Sequence, residues 1–217
     1  MKIFIDTANI EEIKRAAKWG IIDGVTTNPT LIAREKDKDF ESLVMEIVDI
    51  VDGPISVEVT SLVATEMIEE AQKYAAWHPN IVIKVPITEE GIVTIKALSE
   101  LGINTNTTLV FSAVQAYLAA KAGTTYVSPF IGRLDDIGID GVDVVHDILQ
   151  IFRNGNYKTQ VLAASIRHPQ HVLRVAKLGC DVATIPMKII EALFKHPKTD
   201  EGLDIFMRDW KKLEKRE

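Results

Sequence analysis

The 217-residue sequence has one cysteine, Cys180. An internal disulfide and a metal centre built from cysteine clusters are therefore excluded, which fits a reducing compartment. Also missing is any apolar run near the roughly 18 residues that cross a bilayer. The opening stretch MKIFIDTANI reaches an acid at Asp6 and has no apolar core of signal-peptide length. A cytoplasmic protein with no membrane partner is expected. Positive charge is not in excess. The formal net charge of −6 argues against nucleic acid as the main partner but leaves small anions open, because a local basic pocket is enough to hold a phosphate. No G-x-G-x-x-G fingerprint follows an apolar run, and no Pro/Ser linker or block of like charge marks a domain boundary. What remains is an ordinary globular composition, 47% hydrophobic and 26% charged.

Short apolar runs alternate with longer amphipathic ones. KIFID, DGVTTN, PISVEVT and IVIKVP read as strands, as do INTNTTLV, TYVSPFIG, TQVLAAS and DVATIP. Between them lie helical patterns such as NIEEIKRAAKWG and EEGIVTIKALSELG, each stopped by a glycine. Strands alternating with helices imply parallel pairing through βαβ crossovers. Eight such units predict a single α/β domain over 1–217, a (β/α)8 TIM barrel; an open flavodoxin-type sheet is the alternative. An additional C-terminal helix is expected over 200–215, with Leu203, Phe206, Trp210 and Leu213 forming an apolar stripe that needs cover from its own barrel or from a neighbouring subunit.

In such a barrel, chemistry belongs at the carboxyl ends of the strands. Those ends offer Asp6, then Thr26 and Asn28, Glu58, Lys84, Asn106 and Thr108, Ser128, Phe130 and Arg133, and Ser165 and Arg167. Each has a plainer reading. Asp6 can cap the first helix, and Asn28 can be an extended turn residue before Pro29. Arg133 can pair with Asp135 or Asp136, and Lys84 can be a structural partner of Asp6 or Glu58. Lys84 is the anomaly, because a lysine inside a buried strand needs a reason.

Schiff-base catalysis supplies one. A lysine amine attacks a ketone, and the iminium that forms is an electron sink for a neighbouring carbanion. With an ordinary pKa near 10.4, only about one lysine in a thousand is neutral near pH 7.4, and a shift of about three units costs roughly 4 kcal/mol. A dry barrel mouth provides part of that. Dehydrating the carbinolamine and cleaving a carbon–carbon bond also need acid–base groups and an ordered water, tasks that suit Asp6, Glu58 and Thr108. Arg133, Ser165 and Arg167 offer a phosphate clamp.

FIDTANIEEI, GVTTNPTLI, IVIKVPITEEG, INTNTTLVFSAVQA, SPFIGRLDD and VLAASIRHPQHV together resemble the transaldolase family, in its short-chain branch, which also holds the fructose-6-phosphate aldolases. The motifs lie between Phe4 and Val172, most of the chain. The resemblance implies a cofactor-free, metal-free enzyme with Lys84 as the Schiff-base residue and sugar phosphates as substrates. Asp6, Glu58 and Thr108 would move protons and position water. Thr26, Asn28, Asn106 and Ser128 would hold the hydroxyls of a three-carbon fragment, beside Phe130. Arg133, Ser165 and Arg167 would bind phosphate. It further implies a homo-oligomer, a pentamer or decamer, in which the C-terminal helix reaches a neighbour. Aldolase-type members carry glutamine at the position of Glu58 and tyrosine at that of Phe130. The transfer of a dihydroxyacetone unit in the pentose phosphate pathway is therefore favoured over direct aldol cleavage. A non-catalytic phosphosugar-binding barrel has no use for an amine in a buried strand.

Overall fold

Aliphatic strands demand cover on both faces, and closing the sheet on itself provides it. The computed structural model describes residues 1–36 and 38–214. Its strands are β1 (Lys2–Asp6), β2 (Gly24–Thr26), β3 (Ile55–Glu58), β4 (Ile81–Pro86), β5 (Thr105–Val110), β6 (Tyr126–Pro129), β7 (Gln160–Ala163) and β8 (Val182–Ile185). They form a closed parallel barrel in chain order, completed where β8 returns to β1 with Lys2 opposite Val182. This is the (β/α)8 architecture expected from the alternation.

The helices are α1 (Ile10–Ala17), α2 (Pro29–Ile32), α3 (Phe40–Ile50), α4 (Ala64–Ala75), α5 (Glu89–Glu100), α6 (Ala113–Ala122), α7 (Ile131–Asp135), α8 (Gly141–Asn154), α9 (Pro169–Lys177), α10 (Met187–Leu193) and α11 (Pro197–Glu214). Several begin on side-chain caps: Asn9, Asp39, Thr88 and Ser112 each accept the backbone N–H three residues on. The reading of Asp6 as the cap of the first helix is thereby corrected, since Asn9 does that work. The short helices α2 and α7 have no counterpart in the sequence pattern. Both lie just beyond strand ends: α2 follows from TTNPT, which reads as a turn, and α7 begins within TYVSPFIG, which reads as a strand but leaves the sheet at Pro129.

Strand residues alternate between two cores. Outward-facing Ile5, Val25, Ile55, Ile83, Val127, Val161 and Ile185 pack against the helices. Inward-facing Phe4, Val82, Tyr126, Leu162 and Val182 fill the barrel. Gly24 makes room for this filling, because a Cβ there would lie 2.8 Å from the Phe4 ring and 2.7 Å from the Pro54 carbonyl oxygen. Successive inward positions are two residues apart. The layer above is thus fixed as Asp6, Thr26, Lys84, Ser128, Ala164 and Thr184, and it is mostly polar. Lys84 enters the barrel because it shares its parity with Val82.

The helix expected over 200–215 is α11, which starts earlier, at Pro197; position 215 lies outside the described residues. From Pro197 to Leu213 every side chain is exposed. Of the two covers expected for its apolar stripe, the described residues of the chain's own barrel leave Leu203, Phe206 and Leu213 exposed.

Candidate active site

Lys84 is 5% exposed. Its ammonium donates to the Thr27 carbonyl at 3.0 Å and pairs with Glu58 Oε2 at 2.9 Å. The pairing follows from register: Glu58 faces Lys84 across β3 and β4, and Asn106 faces it across β4 and β5. On the other side stands Asp6, opposite Thr26 in the β1–β2 register. Thr26 Oγ1 donates to Asp6 Oδ1 at 2.9 Å and lies 2.5 Å from Thr184 Oγ1. Burial raises the Asp6 carboxyl above the ordinary aspartate range, opposed by the nearby charge of Lys84 and the Thr26 hydrogen bond.

Asn106 and Ser128 form a second chain. Ser128 Oγ donates to Asn106 Oδ1 at 2.7 Å, and Asn106 Nδ2 donates to Ser56 Oγ at 3.1 Å. Both side chains are thereby held in fixed rotamers at the barrel mouth. Asn28 is extended, with φ −156° and ψ 164°, and its Oδ1 accepts the Leu31 N–H to cap α2. The turn reading and the site reading of Asn28 coexist: the cap uses the amide oxygen and leaves the nitrogen to donate.

Thr108 is aimed by an irregularity. The β5–β6 register shifts between Thr107 and Val110, and Leu109 takes a left-handed φ of 58°. Bulges of this kind re-aim side chains beside active sites. Thr108 Oγ1 is buried without a hydrogen-bond partner among the described protein atoms. It lines a pocket of about 340 Å³ that also reaches Asp6, Asn28, Glu58, Lys84 and Arg133.

A smaller cavity of about 130 Å³ joins Lys84, Asp6, Asn28, Ser128, Arg133 and Ser165. The Phe130 ring forms one wall, with the Arg133 guanidinium 4.9 Å from its centroid and Phe111 edge-on at 5.7 Å. Ser165 has φ 58°, a second left-handed non-glycine residue at this mouth. Arg133 makes no close ion pair with Asp135 or Asp136, which corrects that plainer reading, although its charge helps Arg167 to hold the Asp136 carboxyl below the ordinary aspartate range. Asp136 instead takes Arg167 in a two-pronged ion pair, one prong being Arg167 Nη2 to Asp136 Oδ2 at 2.6 Å. Arg167 therefore stands outside the cavity, and the structure brings only Arg133 and Ser165 of the expected clamp to it.

Thr184 and Ser56 belong to the site and were not singled out from the sequence. The signal for Thr184 was present: it sits two residues after inward-facing Val182. The role of Asp136 depends on which loops meet, and no local pattern encodes that.

The match to the family model described as transaldolase/fructose-6-phosphate aldolase covers residues 3–217. The chain is 59% identical over 217 residues to a "Probable transaldolase" of Caldicellulosiruptor saccharolyticus, covering 100% of both chains. It is 60% identical over 213 residues to one of Moorella thermoacetica, covering 98% of this chain and 99% of the other. A thiamine phosphate pyrophosphorylase structure from Pyrococcus furiosus superposes with a TM-score of 0.57 at 16% identity, covering 85% of each chain; this likeness concerns the barrel alone. Matched from end to end by both the family model and these relatives, the chain belongs to the transaldolase/fructose-6-phosphate aldolase family.

Proposed function

We propose that the chain is a transaldolase that moves a dihydroxyacetone unit from a ketose phosphate to an aldose phosphate through a Schiff base on Lys84. The observation that carries this reading is the Lys84 amine, held inside the barrel by Glu58 Oε2 at 2.9 Å with Asp6 in the same cavity. Glu58 is placed to take the ammonium proton as the amine attacks the C2 carbonyl, and to return it as the carbinolamine loses water. The C2–nitrogen double bond that results is the electron sink. Asp6 then takes the proton of the C4 hydroxyl, the C3–C4 bond breaks to release an aldose phosphate, and its electron pair becomes the enamine. The steps run backwards on a new acceptor.

Thr108, Asn106, Ser128, Asn28 and Thr26 surround the three-carbon unit with hydrogen-bonding groups. Arg133 and Ser165 would meet the phosphate, with Arg167 joining once it leaves Asp136. Phe130 favours transfer over release: a phenyl ring offers no hydroxyl to bring water to the enamine, so the enamine persists until an aldehyde arrives. Fructose-6-phosphate aldolase activity is the second reading, and Glu58 with Phe130 argues against it. One barrel domain over 1–217, a place in the pentose phosphate pathway, a reducing cytoplasmic setting and assembly through α11 complete the proposal.

Borohydride reduction with fructose 6-phosphate, followed by peptide mass mapping, is expected to put the adduct on Lys84, and Lys84→Met to abolish it. An adduct on another lysine sinks the mechanism. Turnover of fructose 6-phosphate is expected only when erythrose 4-phosphate is present. Steady release of free dihydroxyacetone without that acceptor would reassign the enzyme as an aldolase.

A further inference from the structure

We infer that His171 is a positioning residue for the phosphate end of the site, tying the loop that carries Ser165 and Arg167 to the helix that carries Arg133. This rests on the Schiff-base reading above and extends it to a residue that touches no substrate. His171 lies in the first turn of α9 and is 3% exposed. Its Nδ1 accepts the backbone N–H of Arg167 at 3.3 Å, and its Nε2 donates to Asp135 Oδ2 at 2.8 Å. The other Asp135 oxygen accepts the Gly141 N–H at 3.0 Å, at the start of α8. One imidazole thus spans from the β7 loop to α7, with α8 fixed behind it.

The frame needs such a brace. At five residues, α7 is too short to hold its direction by its own hydrogen bonds. Two backbone bonds join it to the loop: Ile131 N–H to the Ala164 carbonyl and Gly132 N–H to the Ser165 carbonyl, both 3.0 Å. They fix the near edge of the contact, while His171 fixes the far edge, two residues beyond strained Ser165. Without it, Arg133 and Ser165 lose their common reference.

The same neighbourhood has the composition of a metal site, because ligand atoms of Asp135, His168 and His171 lie within 4.8 Å of one another. The hydrogen bonding argues otherwise. A metal on His171 Nε2 would require the proton on Nδ1, where it would face the Arg167 N–H.

Protonating His171 has the same consequence. Burial and the neighbouring His168 hold its pKa below the ordinary histidine value, against Asp135; Arg174 also lowers it, and Arg167 sits alongside. The brace is therefore intact at neutral pH and fails on the acid side of the usual histidine range.

The test compares two donors. His171→Leu is expected to raise the half-saturating concentration of fructose 6-phosphate about tenfold, the effect of one lost positioning contact. The half-saturating concentration of dihydroxyacetone, read by borohydride trapping on Lys84, should move less than about twofold. His171→Asn keeps an acceptor near the Nδ1 position but gives up the bond to Asp135, and should recover part of the loss. His171→Gln keeps mainly the donor to Asp135 and should not, and it carries the comparison if the leucine variant fails to fold. The unmutated enzyme should also lose affinity for fructose 6-phosphate at acid pH more steeply than His171→Asn; ionisation of the phosphate itself is common to both. Equal shifts for the two donors, or wild-type behaviour in His171→Leu and His171→Gln, overturn the inference. Failure of the unmutated enzyme to form an adduct with either donor defeats the Schiff-base reading, and this inference with it.

Discussion

Two buried threonines show how alike residues separate by their partners. Thr124 Oγ1 sits in a saturated knot, with the Thr105 and Thr107 hydroxyls each at 2.9 Å and the Tyr126 carbonyl also at 2.9 Å. Thr108 Oγ1 has no hydrogen-bond partner among the described residues. A buried hydroxyl left unpaired costs about 1–3 kcal/mol. Thr108→Val is thus expected to leave thermal stability unchanged or higher while lowering kcat at least tenfold, whereas Thr124→Val should lower Tm and spare kcat. Scanning calorimetry and steady-state rates on both variants check the contrast; a destabilised Thr108→Val would make that residue structural. Asp6 yields a pH argument of definite sign. Its folded pKa is raised, so its ionisation opposes folding. Stability referred to this group is greatest below the unfolded aspartate pKa, near 3.9, and is lost as pH rises toward the folded value. Asp6→Asn should therefore raise Tm at pH 7 while reducing kcat by about 10²–10⁴-fold, the span of a general acid–base group. A fall in Tm would show that the carboxylate supports the fold.

At the scale of elements, the eight strands were legible because their runs of β-branched residues and glycine stops follow simple periods, and the barrel followed from their number. Glu58, Lys84 and Asp6 were legible for the same reason, as polar residues where the period calls for aliphatic ones. Two elements were not. The helix α2 is four residues long and set by the Asn28 cap, and α7 is held by bonds to a loop more than 30 residues away, which no window of sequence contains. The outward turn of Arg167 was hidden likewise, since its partner Asp136 is 31 positions distant. Gly132 records the closeness of that contact. A Cβ there would lie 2.5 Å from both the Ser165 carbonyl oxygen and Arg167 Nε. Gly132→Ala is expected to cost about 1–3 kcal/mol, as overpacking does, and to weaken phosphorylated donors more than dihydroxyacetone. Unchanged stability by chemical denaturation would mean that the loop yields freely.

For the whole molecule, α11 is the unfinished part. Its Leu203, Phe206, Met207 and Leu213 are exposed, Phe206 at 71%, an apolar face that a soluble monomer rarely leaves uncovered. With the family resemblance implying rings, the cover is proposed to be a second copy of this chain. Light scattering should give a mass several times 24.1 kDa for the full chain and a smaller assembly for one ending at residue 196. A full-length monomer would remove α11 from any role in assembly.

The apolar filling of the barrel has a consequence for isotopes. Phe4, Val82, Tyr126, Leu162 and Val182 stopper the barrel directly beneath Asp6 and Lys84, so the polar layer is a well with a single opening. On the proposed mechanism the enamine left when the aldose departs lies in this well, and only water entering through the opening reaches its carbon. In heavy water the three-carbon unit should therefore gain carbon-bound deuterium only in proportion to how long the acceptor is delayed, which turns wash-in into a clock for the half-reaction.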